Sequence, residues 1–223
     1  MNIHNEHNPP TVAVLDIDLT LVCTVNDGDD GITHDYLNIY NNYDSLRSQL
    51  YSFDLINKDE GNLMFMWGLR RPYLKEFLAY MRNNYDYVVI WTAGTQDYAY
   101  KVLNEALDGM NFAPDLFWTR KDCEDARFEG DLVYTKPLSK LSNHFGFSMD
   151  NAILIDDQPY SHIANSKQSR IQIPQYDPTV ENPITNDTYL LQLMEWLRSG
   201  DGDNNRIFEE KWVKVNPPID TIM

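Results

Sequence analysis

Positive charge is scarce in this chain. Among 223 residues, 18 lysines and arginines stand against 34 aspartates and glutamates, a formal net charge of −16. A surface of that sign repels polyanions, and the local basic clustering that an extended nucleic-acid groove needs is missing. Cysteine is nearly absent too: Cys23 and Cys123 form neither a disulfide framework nor a Cys-x-x-Cys pair. The histidines, His4, His7, His34, His144 and His162, show no paired ligand spacing, which argues against an imidazole-based metal centre. No apolar run approaches membrane-spanning length, so no membrane partner is expected. Met1 to Pro10 has neither the positive start nor the apolar centre of a signal peptide. Internal repeats are lacking as well. The expectation is a soluble, intracellular protein, with cytoplasm and nucleus both open and the oligomeric state undetermined.

What is present is a core-forming chain, 43% hydrophobic and 13% aromatic, which excludes a disordered one. A polar lead over residues 1–10 ends at Pro9-Pro10, and a strand is expected from Thr11 to Ile17. The Gly- and Asp-rich cluster from Asn26 to Gly31 breaks any element. Tyr36, Ile39, Tyr40, Tyr43, Leu46 and Leu50 fit one helix face within residues 34–51. The Lys58 to Asn62 turn leads into a strand over Leu63 to Trp67, so residues 26–66 read as an insertion. Beyond Arg71, helices and strands alternate. Pro72 suits a first helical turn, followed by Leu74, Phe77, Leu78 and Met81 at helical spacing. Strands are expected at Tyr87 to Trp91, Leu116 to Trp118, Ala152 to Ile155 and Ile171 to Ile173. Helices are expected at Thr95 to Leu107, Leu138 to Phe145 and Tyr189 to Leu197, while residues 120–131 read as charged and irregular. The fold class is α/β, a Rossmann-like, mostly parallel sheet with helices on both faces and an insertion after strand one. One domain over residues 11–199 is expected, with a C-terminal tail over residues 200–223 that nothing places.

Three of the strands end in polar chemistry. Strand one runs into Asp16, Asp18 and Thr20; the next leads to Thr92-Ala93-Gly94; a later one leads to Asp156-Asp157-Gln158. In open α/β sheets ligands bind outside the carboxyl ends of the strands, so these groups converge at one edge. Lys136 lies in the loop before the helix that precedes Ala152, and it too can reach that edge. Two carboxylates held together repel unless a cation neutralises them, which makes the acidic pair a hard-metal site candidate. Phosphoryl transfer wants this set. Magnesium offsets the charge of a phosphomonoester, a lysine and a threonine hold its oxygens, one aspartate attacks, and a second carboxylic acid serves the leaving group and then the water.

Asp16-Ile17-Asp18-Leu19-Thr20-Leu21-Val22 resembles motif I of the haloacid dehalogenase superfamily. More narrowly it is similar to the small C-terminal-domain phosphatases of the FCP-like subfamily, which act on phosphoserine and phosphothreonine in the tail of RNA polymerase II. Arg71 to Leu78 resembles that family's Arg-Pro helix start, Trp91 to Ala99 its motif II, Lys136-Pro137-Leu138-Ser139 its motif III and Ile155 to Pro159 its motif IV. The resemblance implies Asp16 as nucleophile and metal ligand, and Asp18 as general acid/base with its main-chain carbonyl on the metal. It implies Thr92 and Lys136 as phosphoryl holders and Asp157 as a further metal ligand. Asp156 would orient metal-bound water or pair with Lys136, and Thr20 would orient Asp18. Tyr98 and Arg120 match substrate-contacting positions, beside Ala93 and Gly94. Pro137 replaces the family's acidic residue, Cys123 to Lys136 is a longer spacing, and residues 26–66 match no family insertion.

Taken singly these residues have duller readings. Asp156-Asp157 can open a helix, Thr92 can be a loop hydroxyl, and Lys136 a solvated side chain. Tyr98 also fits the apolar stripe of its helix, Arg120 a surface ion pair, and the two cysteines inert structural thiols. The expected activity is a magnesium-dependent phosphatase working through an aspartyl-phosphate on a phosphoprotein or phosphopeptide. The alternatives are a nucleotide, nucleic-acid-end or small phosphometabolite phosphatase with the same centre, and an inert phosphatase-like binding protein. No large cap domain is visible, which suits an open site, with residues 34–51 available as a small lid.

Overall fold

The computed structural model describes residues 10–26, 35–56, 61–146, 148–166, 169–178 and 186–199. The polar lead over residues 1–9, most of the Asn26 to Gly31 cluster, the Lys58 to Glu60 turn and the tail from Gly200 lie outside the described residues.

A five-stranded parallel sheet forms the centre, in the order β10-β9-β1-β5-β6. Its members are β1 (Val12–Leu15), β5 (Tyr87–Trp91), β6 (Leu116–Trp118), β9 (Ala152–Asp156) and β10 (Arg170–Gln172). All strand pairs run parallel, and β1, β5 and β9 are near-continuous apolar runs, as strands covered on both faces must be. Alternation divides β1 between two cores. Ala13 and Leu15 pack with α2 (Leu74–Asn84), α3 (Gln96–Ala106) and α5 (Tyr189–Arg198), whereas Val12 and Val14 pack with α4 (Ser139–Phe145). From β1 the chain proceeds outward to β5 and β6, then crosses back to β9 and β10. The strand order therefore reverses beside β1, the position where open α/β sheets bind ligands.

The expected insertion is a second sheet, with β2 (Val22–Asn26), β4 (Leu63–Arg70) and β3 (Leu50–Ile56) antiparallel in that order. It begins before residue 26 and reaches past residue 66. Tyr51, Phe53 and Met66 on one face join the core beside α3. Cys23, Leu50, Trp67 and Leu69 on the other pack with Ile39 of α1 (Asp35–Asn42). The helix expected over residues 34–51 is thus shorter: it stops at Asn42, a 3₁₀ turn covers Asp44–Leu46, and β3 starts at Leu50. The tyrosines and leucines there fit a helix face, but cross-strand burial against Trp67 and Leu69 wins for the later ones.

Residues 120–131 are likewise not irregular. After a 3₁₀ turn at Arg120–Asp122 comes a hairpin of β7 (Glu124–Phe128) and β8 (Asp131–Thr135), closed through Glu129 and Gly130, both at positive φ. Its charged residues are those of a mostly exposed two-stranded ribbon, and its extra length accounts for the long Cys123 to Lys136 spacing. Pro72 sits just outside α2 rather than in its first turn, because Tyr73, at φ 65°, is the cap residue. Gly146 closes α4 with φ 77°.

Candidate active site

Register places the acidic groups. Leu15 pairs with Ile155 on one side and Ile90 on the other, so the next residue along, Asp16, stands abreast of Asp156 and Trp91. The Asp16 N–H continues the ladder to Ile155 O at 3.0 Å. The chain then turns sharply through Leu19, whose φ of 59° is a left-handed conformation that L residues adopt at a cost. That turn sends Asp18 to the cleft and Thr20 inward.

Lys136 enters from the loop between β8 and α4. Its ammonium contacts Asp16 and lies 2.7 Å from Asp156 Oδ2, all three side chains being buried. Asn165 secures that loop: its side chain donates to Lys136 O at 2.9 Å and accepts from the Leu138 N–H at 2.9 Å. Asp157 completes the acidic group, and the carboxylate oxygens of Asp16, Asp156 and Asp157 lie within 4.8 Å of one another. Gln158 and Gln175 donate to Asp157 Oδ2 at 2.6 and 2.9 Å. Thr20 is fully buried, and its hydroxyl donates to Asp157 Oδ1 at 3.2 Å while accepting the Asp157 N–H at 3.1 Å. The expectation that Thr20 orients Asp18, or meets substrate, is therefore corrected: the Leu19 turn points it away from the cleft, and Asp157 is what it holds.

Asp18 faces the opposite wall. The Tyr98 hydroxyl donates to its Oδ1, and Thr92 Oγ1 lies 3.4 Å from its Oδ2. Thr92 also accepts the Gly94 N–H at 2.9 Å. Arg120 is tied to the same turn, with its Nε donating to Ala93 O at 2.7 Å and its guanidinium 5.0 Å above the Tyr134 ring. These groups line a cleft of about 430 Å³ together with Asp16, Asp156 and Lys136. Tyr134, Tyr160, Leu55 and Gln158 also contribute to its walls. Gln175, Asn165, Tyr134, Tyr160 and Leu55 were not foreseen from sequence. Only Gln158 carried a signal, its place in motif IV.

Burial pushes the carboxyl groups of Asp16, Asp18 and Asp157 above the usual carboxylate range. The Lys136 ammonium opposes this at Asp16, while the Asp16 and Asp156 carboxylates hold Lys136 firmly protonated despite its burial. Three buried carboxylates against one ammonium leave excess negative charge, and the donors are all hard oxygens. That combination fits a small divalent cation.

The central sheet with acidic turns after β1 and β9 defines the haloacid dehalogenase class of α/β phosphatase folds. Within it, the chain belongs to the NLI interacting factor-like phosphatase family, whose model matches residues 11–206. Among solved structures it is similar to Fcp1, an essential RNA polymerase II CTD phosphatase, at 20% identity and a TM-score of 0.58. That match covers 86% of this chain and 49% of that one. It is also similar to fission yeast Fcp1 bound to beryllium fluoride, at 19% identity and a TM-score of 0.59, over 86% of this chain and 50% of that one. At these identities the likeness is one of fold, and the chain spans about half the length of each. Among curated proteins no sequence matches it significantly. No helix among the described residues is long and apolar enough to cross a membrane.

Proposed function

We propose that the protein is a magnesium-dependent phosphoric monoester hydrolase with Asp16 as nucleophile, acting on phosphoserine or phosphothreonine in protein. The observation that carries this reading is the buried Asp16–Lys136–Asp156 contact at one wall of a cleft whose other wall presents Asp18 and Thr92. Asp16 attacks phosphorus, the bond from phosphorus to the substrate oxygen breaks with its electron pair leaving on oxygen, and Asp18 gives that oxygen a proton. Burial keeps Asp18 protonated to higher pH than an exposed aspartate, which suits an acid. An acyl phosphate remains on Asp16. Asp18, now ionised, takes a proton from water as the water oxygen attacks phosphorus, which frees phosphate and restores Asp16. Lys136 and Thr92 hold phosphoryl oxygens throughout.

Asp16 and Asp157, with the Asp18 main-chain carbonyl, would hold magnesium, while Asp156 keeps Lys136 in place. Bound there, magnesium offsets the mutual repulsion of carboxylate and phosphate. The phosphoprotein assignment is supported by the likeness to Fcp1, an RNA polymerase II CTD phosphatase, and by the open cleft, in which Arg120, Tyr98, Ala93 and Gly94 border the space for the rest of the substrate.

Acid quenching during turnover of a ³²P-labelled phosphopeptide tests the mechanism. Label should remain on the protein and be released by hydroxylamine. Asp16→Asn should carry no label and lose turnover by at least about 10³-fold, with an unchanged circular dichroism spectrum. Labelling of that variant would refute the nucleophile.

A further inference from the structure

Arg71 carries a buried charge that the site described above does not use. It stands between β4 and α2, and three stretches far apart in sequence meet at its guanidinium. Its Nε lies 3.1 Å from both oxygens of Asp187, just before α5, and one terminal nitrogen lies 2.9 Å from Asp187 Oδ2. That same nitrogen donates to Pro174 O at 2.8 Å, in the segment after β10. The other terminal nitrogen donates to Thr20 O at 2.9 Å, in the turn after β1. The ring centres of Tyr176 and Tyr189 lie 5.5 and 5.3 Å from the guanidinium carbon. Both carbonyl partners bear on one carboxylate. Thr20 is the residue whose hydroxyl donates to Asp157 Oδ1, and Pro174 precedes Gln175, whose amide donates to Asp157 Oδ2. One guanidinium thus fixes the main chain at two donors, one for each oxygen of Asp157. The Tyr176 N–H ties the same corner to Leu19 O at 2.7 Å.

We propose that Arg71 is a positioning residue for Asp157: it locks the Thr20 turn to the Pro174-Gln175 segment, so that Asp157 presents its carboxylate to the metal in one orientation. The inference rests on the metal role given to Asp157 above. A carboxylate that must be ordered at the moment of binding gives up affinity, and one already pinned does not. Thr20 and Gln175, with Gln158 beside them, pin both oxygens beforehand. Partners of this kind are worth about 10- to 100-fold in metal affinity. They hold Asp157 only while their own main chain stays in place, and Arg71 is what keeps it there. Arginine suits the task, because its planar fork serves acceptors in several fixed directions, which a lysine ammonium does not. Asp187 offsets the charge that lies buried with it. Its Oδ1 also accepts the Tyr189 N–H at 3.0 Å, at the start of α5. That helix, which does not line the cleft, thereby has a tie to the metal ligand.

Manganese(II) is the probe, since the paramagnetic resonance signal of the free ion is lost on binding, and the whole protein is used without phosphate. Arg71→Lys keeps a positive charge beside Asp187 and loses the fork. Its Kd for manganese should rise about tenfold, at a temperature where circular dichroism shows the variant folded. Asp187→Asn should raise Kd about two- to fivefold, and it carries the test alone if Arg71→Lys does not fold. In a Thr20→Val, Gln175→Leu background neither substitution should add more than about twofold, because the donors through which Arg71 acts are gone. A folded variant with a lowered Tm and an unchanged Kd would make Arg71 a structural ion pair and overturn the proposal. Full additivity with the Thr20→Val, Gln175→Leu pair would do the same. Asp157→Asn separates the two readings. If it weakens manganese binding while Arg71→Lys does not, the positioning role alone fails. If it binds manganese as tightly as wild type, the ligand set of the proposed function fails, and the positioning role with it.

Discussion

The Lys136 ammonium faces two buried carboxylates, and its own charge is what makes their proximity tolerable. Lys136→Ala removes that charge and leaves Asp16 and Asp156 facing each other in a poorly solvated site. Breaking one side of a buried ion pair costs about 3 kcal/mol or more. Urea denaturation in chelator should show a loss of that size, with magnesium recovering part of it, and a loss below about 1 kcal/mol would contradict the charge balance described. At this scale the sequence was most legible where chemistry is local. Asp16, Asp18, Asp156 and Asp157 stand in short strings at strand ends, and a motif can be read from such strings. Gln175 and Asn165 were invisible because they reach their partners across turns whose geometry no short pattern encodes. Thr20 was misread for a related reason, since a left-handed Leu19 reverses the side to which the next residue points.

Among the elements, long runs with a clear apolar period were foreseen well. The strand Tyr87–Trp91 and helices α2, α3 and α5 fall where periodicity puts them. The second sheet was seen only in part, because β2 is a short segment directly after motif I and β3 mixes aromatic and polar residues, and the strand character of both depends on pairing with β4. The β7–β8 hairpin was missed because both strands are largely exposed and carry little alternation. Gly68 shows how such pairing constrains single positions. Glycine inside a strand normally destabilises relative to alanine by roughly 0.5–1 kcal/mol. Here a Cβ would stand 2.3 Å from Cys23 O, a backbone atom that cannot swing aside. Gly68→Ala should therefore destabilise by about 2 kcal/mol or more, the opposite sign to the ordinary expectation. Thermal unfolding of the variant decides it.

Across the molecule, protons and metal compete for the same carboxylates. The native state holds protons on Asp16, Asp18 and Asp157 more tightly than the unfolded chain does, because burial raises their pKa values. For a raised carboxyl, stability is fully present below the unfolded value near pH 4 and declines as pH climbs through the folded one. The metal-free protein should lose stability across that interval, and magnesium, which needs ionised ligands, should restore more of it at pH 7.5 than at pH 5. An equal magnesium-induced rise in Tm at both pH values would disprove the competition. The net charge of −16 bears on substrate choice. Each extra phosphate in an oligonucleotide adds repulsion at low salt, which a phosphopeptide with neutral or basic flanks avoids. Its kcat/KM should exceed that of 5′- or 3′-phosphorylated oligonucleotides by at least about tenfold, or roughly 1.4 kcal/mol. A nucleotide that outperforms every peptide would shift the assignment to nucleotide chemistry on the same centre.

The crossover beside β1 also sets an order of events in time. Val12 pairs with Ala152, so the carboxylates of Asp16 and Asp156 meet only when the chain has closed one of its longest loops. Early in folding the acidic cluster does not exist, and a cation has nothing to grip. A ligand site assembled only after the rate-limiting barrier leaves the folding rate unchanged and slows unfolding alone. Magnesium should accordingly act as a brake on unfolding rather than an accelerator of folding. In stopped-flow experiments it should depress the unfolding arm of the chevron while the refolding arm stays where it was.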